Sequence, residues 1–326
     1  MSRYFIFLIS LNGLENLTTV LEDLELENNP LLASITSLSG VSGSVGDLKV
    51  INSNLTDLNG LQNITSVNED LELDDNASLI DISALSNISS VGSDLEIFDA
   101  VFTDFSGLSG IVTIGKDLTI DDCLELETIT GFNPNLTFVN LYITDNPKLT
   151  SIEGLPKQNN LEFVQLDDNP LLTDIDIFEN ITTLGGVFIS DIAITNVDTF
   201  GNIESITDNS LFSLIEGDQI ETINLDVLLN VSDELIVTCP NLISACGLYN
   251  YVNSGNGTST LTINSGVTWQ SPQDVLNNCA LLGITDINIS DLVVYPNPAV
   301  TSFRIQGVTD QIDQVKIFDI NGGFVK

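Results

Sequence analysis

The chain has 326 residues, 43% of them apolar, and a mean hydropathy of +0.26, which is enough apolar material to bury a sizeable core. Eight Lys and Arg stand against 46 Asp and Glu, and the formal charge of −38 repels phosphate backbones and anionic lipid headgroups, so nucleic acid and membrane surfaces are excluded as partners. Histidine is absent, which removes the usual general base near neutral pH and the commonest metal ligand and leaves any catalysis to carboxylates.

The first residues, "MSRYFIFLIS", carry a lone Arg3 and an apolar run like the start of a signal peptide. The run is short and no small-residue cleavage site follows it. "LNGL" at Leu11–Leu14 recurs at Leu58–Leu61, so the chain reads as starting within a repeat, its export signal missing or fused into the first coil. No apolar run approaches the roughly 20 residues a membrane-spanning helix needs, and no membrane insertion is expected.

An acidic residue followed by Leu-x-Leu/Ile/Val then sets the phase: "DLEL" at Asp23, "DLKV" at Asp47, "DLEL" at Asp70, "DLEI" at Asp94 and "DLTI" at Asp117. Looser copies follow at Asn140, Phe163, Gly186 and Glu234. The first apolar positions, from Leu24 through Leu48, Leu71, Leu95, Leu118, Leu141 and Val164 to Val187, are 23 or 24 residues apart. That period predicts stacked coils, because one unit cannot bury its apolar face alone.

Within the third coil, Leu71 and Leu73 have the period of two of a strand with both side chains inward. Leu79, Ile82, Leu85, Ile88 and Val91 then recur every third residue, which fits neither strand nor α-helix and predicts an extended or 3₁₀-like return path. One strand per coil stacks into a parallel sheet. After the strand comes an inward polar column, Asn29, Asn76, Asn146 and Asn169, with Ser53, Ala100 and Cys123 in the same place. Buried Asn can bond the backbone of neighbouring coils where a tight bend leaves amides without partners.

These residues resemble the leucine-rich-repeat pattern, and the spacing "DLxIxxNxxLxxIxxLxxIxxV" is most similar to the receptor L-domain variety. The resemblance runs from about Leu8 to Val237 and weakens after Ile206. It implies a right-handed solenoid over residues 1–245 and a tendency to bind, and it carries over no catalytic residue.

Cys123 and Cys239 fall in the Asn column and read as buried free thiols. Cys246 and Cys279 flank a stretch, 246–284, where the leucine pattern stops. "SPQDVLNNCALL" reads as a short helix, with Ser271 as N-cap, Pro272 at the first position and Asp274 near the positive end. The segment resembles the cysteine-bearing caps that close bacterial repeat arrays, and that resemblance implies a Cys246–Cys279 disulfide and an oxidising, extracytoplasmic setting.

After a linker at 285–291 the chain reads "LVVYPNPAVTSFRIQGVTDQIDQVKIFDINGGFVK". Strands are predicted at Phe303–Ile305 and Val315–Phe318, the second followed by the turn "DINGG". "LVVYPNPA", "FRI" and "VKIFDINGGFV", in that order, resemble the type A C-terminal sorting domain of the type IX secretion system of Bacteroidota. The resemblance implies that Tyr295, Pro296, Asn297 and Pro298 open an incomplete β-sandwich at 292–326, read by the secretion machinery, and that the protein is secreted or held on the outer cell surface.

Two exposed columns are candidate sites. Asp75, Asp99, Asp122, Asp145, Asp168 and Asp191 recur in six consecutive coils, two residues past the strand's second apolar residue. Asp is favoured at turns, and the column reads as a solvated acidic edge; carboxylates stacked between coils are also calcium ligands in type, although no calcium-loop motif is present. The strand centres, Glu25, Lys49, Glu72, Glu96, Thr119, Tyr142, Gln165 and Phe188, change from charged to aromatic along the array. Thr119, Tyr142, Gln165 and Phe188 are the candidate ligand-binding row, since exposed aromatics beside polar groups suit a sugar or peptide; the alternative is that neighbouring loops cover the two rings. Asn-x-Ser/Thr at Asn16, Asn63, Asn87 and Asn180 falls out of the repeat itself.

The expectation is a non-enzymatic surface protein that adheres to a protein or polysaccharide and uses no cofactor except, at most, calcium. A carboxylate-dependent polysaccharide-degrading enzyme is the alternative, needing only two placed acids, and a structural surface-layer component is a third.

Overall fold

A computed structural model of the protein describes residues 8–159, 161–207, 213–232, 234–255, 261–265 and 268–279, together with two short strands, Val293–Tyr295 and Arg304–Gln306. Two compact units divide at Cys279, one spanning Met1–Cys279 and the other Ala280–Lys326.

The first unit is a parallel β-solenoid of about ten right-handed coils. Each coil begins with Leu-x-Leu/Ile, and the alternation puts one side chain in the column of the core and the next on the sheet surface. In the third coil Leu71 and Leu73 are 0% and 2% exposed while Glu72 between them is half-buried. Among the described residues eleven such strands form one parallel sheet in chain order, from Leu24–Asn29 to Leu261–Ile263. Their register is that of the sequence repeat, with Leu24 opposite Leu48, Leu71 opposite Leu95 and Leu141 opposite Val164. The sheet continues past the end of the leucine pattern, since Leu261–Ile263 pairs with Leu235–Thr238.

The three-residue spacing makes 3₁₀ turns. These occur at Thr36–Leu38, Ser83–Leu85, Ser106–Leu108, Asp176–Phe178, Asp198–Phe200 and Cys246–Leu248. Several are opened by a side chain folding back on the backbone, as where the Ser83 and Ser106 N–H groups donate to Asp81 and Asp104, both at 2.8 Å. Such local bonds let short polar residues start a turn that a helix-forming sequence would carry onward.

The return limb contributes a second, interrupted face. Gly43–Val45, Ile64–Val67, Ser90–Val91 and Thr113–Ile114 make one four-stranded parallel sheet, and Thr183–Leu184, Ser205–Ile206 and Asn230–Val231 make another of three strands. Two coils lie between these sheets: in the first Thr137 bridges to Thr113, and in the second the residue at the matching position lies outside the described residues.

The far end of this unit is covered by helices Tyr249–Asn253 and Pro272–Cys279. Asp274 accepts hydrogen bonds from the Ser271 hydroxyl at 2.9 Å and the Gln270 N–H at 3.0 Å, which hold its carboxyl below the usual range. A disulfide joins Cys246 to Cys279, and Trp269, 4% exposed, lies in the core beneath this cap.

In the second unit the two short strands pair antiparallel, Val294 opposite Ile305 and Tyr295 opposite Arg304. Pro296, Asn297, Pro298 and the strand expected at Val315–Phe318 lie outside the described residues.

Candidate functional site

The outward face of the long sheet is assembled by register. Glu25 lies opposite Lys49, Lys49 opposite Glu72, Glu72 opposite Glu96 and Glu96 opposite Thr119. Thr119 is opposite Tyr142, Tyr142 opposite Gln165 and Gln165 opposite Phe188. The four candidate residues Thr119, Tyr142, Gln165 and Phe188 therefore stand side by side on consecutive strands, all half-buried. The row continues at Cα positions Leu214 and Ile236, which the sequence reading left out.

The two ends of this row differ in chemistry. At the acidic end Lys49 Nζ lies 3.3 Å from Glu72 and 3.7 Å from Asp47. Burial lowers the affinity of its ammonium for a proton, but Glu72, Asp47 and Asp70 more than offset this and raise its pKa. Burial first, then the charges of Glu72, Asp70 and Asp94, push the Glu96 carboxyl up, with Lys49 opposing. At the other end the Tyr142 ring meets that of Phe163, centroids 5.6 Å apart and planes at 44°. Burial, then Asp117 and Asp94, raise the Tyr142 phenol. Phe163, 8% exposed, is thus the residue that partly covers Tyr142.

The acid that opens each repeat has a role the sequence reading missed. The Asp47 N–H donates to Asp23 Oδ1 at 3.0 Å, Asp70 to Asp47 at 2.9 Å, Asp94 to Asp70 at 3.2 Å and Asp117 to Asp94 at 3.1 Å. Each carboxylate caps the next coil's amide, a bond strengthened by its charge. The ladder ends at Asn140, whose Nδ2 donates to Asp117 at 2.7 Å and whose Oδ1 is buried without a partner. The signal was visible as Asp at a fixed phase before Leu.

The second candidate column is explained by backbone geometry. Asp75, Asp99, Asp122, Asp145, Asp168 and Asp191 have φ between 46° and 54°, and Asn28 and Asn52 continue the series at 54° and 48°. This left-handed region is unfavourable for residues with a Cβ and is best tolerated, after Gly, by Asn and Asp. The carboxylates crowd as a result. Burial, then Asp122, Asp74 and Asp75, push Asp99 up; burial, then Asp121, Asp168 and Asp122, push Asp145 up. Oxygens of Asp167, Asp168 and Asp191 all lie within 4.8 Å of one another, as do those of Asp23, Glu25 and Asp47, so either group has the oxygen donors that suit calcium.

The inward Asn column bonds from coil to coil. Asn76 accepts from the Ser53 N–H at 3.1 Å and donates to Val50 O at 2.7 Å; Asn146 accepts from the Cys123 N–H at 3.1 Å and donates to Ile120 O at 3.1 Å. Cys123 and Cys239 are fully buried, and burial pushes both thiols up to about 12, which leaves them unreactive. Of the Asn-x-Ser/Thr sites, Asn63 and Asn87 spend their side-chain amides on Ser39 O at 2.9 Å and Gln62 O at 2.7 Å.

The fold therefore defines a parallel β-solenoid whose last coil is stapled by a disulfide. Compared with known proteins, the chain matches no family model and no curated protein.

Proposed function

We propose that this chain is an exported leucine-rich-repeat protein of the receptor L-domain kind, which binds a protein or polysaccharide through the outward face of its long sheet and performs no chemistry. The observation that carries the reading is the row Thr119, Tyr142, Gln165 and Phe188, held on consecutive strands where charged side chains give way to aromatic ones. A rigid stacked sheet holds such side chains in place before a ligand arrives, which lowers the ordering cost of binding. Export is supported by the Tyr295-Pro296-Asn297-Pro298 segment, read as the entry to a type IX sorting domain, and by the Cys246–Cys279 pair, which suits an oxidising compartment.

The acids give little support to an enzyme reading. Most of their regular positions are accounted for by the left-handed turn and by the amide ladder, which need no catalytic role. A glycan and protein array probed with the purified chain tests the proposal: a ligand lost on Tyr142→Ala and Phe188→Ala supports it. Turnover of a polysaccharide that one Asp substitution abolishes would replace it with the enzyme.

A further inference from the structure

The coil from Ile152 to Leu161 departs from its neighbours in a way the proposed function does not use. The fourth apolar position of the return path is apolar in other coils, among them Ile64, Ile88, Ile111, Ile181 and Ile203, each no more than 2% exposed, and here it is Gln158. Gln158 Oε1 accepts the Phe138 N–H at 3.3 Å, while its Nε2 is buried with no partner. Pro156, two residues earlier, has no N–H to give to a neighbouring coil.

Two clefts beside this coil both have Asn159 in their walls. One, of about 600 Å³, is lined by Val139, Asn159, Glu162, Thr182, Thr183 and Thr207 among others. The second, of about 410 Å³, is walled by Pro134, Asn135, Pro156 and Gln158. Both volumes fall in the range that small ligands occupy. A buried amide donor left unsatisfied is costly in a protein interior, and the side chain that carries it forms part of the wall of the second cleft.

We infer that these neighbouring clefts bind a short neutral glycan segment. Hydroxyls of Thr182, Thr183 and Thr207 and the amides of Asn159 and Gln158 supply both donors and acceptors, as sugar hydroxyls require. Pro134 and Pro156 offer apolar faces for the C–H side of a ring. Glu162 and the net charge of −38 turn acidic sugars away. This site is separate from the row Thr119, Tyr142, Gln165 and Phe188, and it stands or falls independently of that row.

Isothermal titration of the full chain with neutral hexasaccharides of glucose, xylose and mannose is expected to show binding of at least one, and no binding of hexagalacturonate. Gln158→Ile restores the apolar column, so it should melt no lower than the parent protein while weakening that binding by roughly tenfold, and Thr183→Val should weaken it likewise. The inference is overturned if no neutral hexasaccharide binds at millimolar concentration, if hexagalacturonate binds in its place, or if both groove variants retain the ligand. Loss on Phe188→Ala with both groove variants intact would also overturn it, by moving the ligand to the long sheet.

Discussion

Asn169 Oδ1 accepts the backbone N–H of Asn146, one coil earlier, at 3.2 Å. The same side chain donates to Ile143 O at 2.8 Å and Asp167 O at 2.6 Å, with Asn169 itself fully buried. One amide thus satisfies three backbone groups that a tight bend would otherwise leave unpaired. Asn169→Ala should lower stability by about 2–4 kcal/mol, since each buried group left without a partner costs about 1–3 kcal/mol. The shift in urea midpoint checks this; a midpoint equal to that of the parent would show the ladder to be dispensable.

The left-handed turn gives a contrast between substitutions at one position. Asp122→Val puts a β-branched residue at φ 51° and should cost about 1–2 kcal/mol. Asp122→Asn keeps the turn, as Asn28 and Asn52 do, and removes one charge from a crowded column, so at low salt it should melt at or above the parent. Calcium and magnesium at equal ionic strength should raise the melting temperature alike, by screening. A rise specific to calcium and lost in Asp168→Asn would instead assign an ion to the Asp167, Asp168 and Asp191 group.

Acid should stabilise this protein before it unfolds it. Asp74, Glu96, Asp99, Asp145 and Asp167 all have carboxyls raised above their ordinary values, burial being the first cause in each. Such a group holds more proton when folded than when unfolded, so its effect is to reduce stability as pH rises. The gain on acidification sets in as pH falls through the raised folded-state values and is complete once the unfolded chain also protonates, below the ordinary 3.8 for Asp and 4.5 for Glu. Glu15, Asp81 and Asp274 are shifted down and act in the opposite sense, losing their contribution below those ordinary values. Melting curves at low salt should therefore peak at about pH 4–5 and fall on either side. A maximum at pH 7 or above would contradict the reading of the crowded edge.

The cap can be watched on its own because the only tryptophan of the chain, Trp269, is buried there. Reducing Cys246–Cys279, which are 33 residues apart, should cost about 2–4 kcal/mol through the freed loop. Tryptophan emission should shift to the red under dithiothreitol while the far-ultraviolet signal of the sheet persists. Simultaneous loss of both signals would show that cap and array unfold as one.

The coil period, the strand position and the inward Asn column follow from residue order, because each depends on neighbours a few residues apart. The Asp at each turn was also legible as a turn residue. Leucine spacing faded after Ile206, yet the sheet continues to Leu261–Ile263, because strand pairing needs only an apolar residue on each side of Ile236 and Thr262, which Leu235, Val237, Leu261 and Ile263 provide.

What the sequence could not supply was the partner of each polar group in the next coil. Asp47 shows in the sequence only as a marker of the repeat phase until its oxygen is found capping the Asp70 amide, and nothing in residue order says that Gln158 Nε2 comes to rest buried without a partner. Tyr142 and Phe163 are 21 positions apart and meet only because stacking brings successive coils within one strand spacing. By itself the sequence determined that the chain winds into apolar coils, since hydrophobic burial is set by periodicity. Only the tertiary structure decided which polar side chains are spent holding one coil to the next and which are left to meet a ligand, since hydrogen bonds between coils depend on where atoms come to rest.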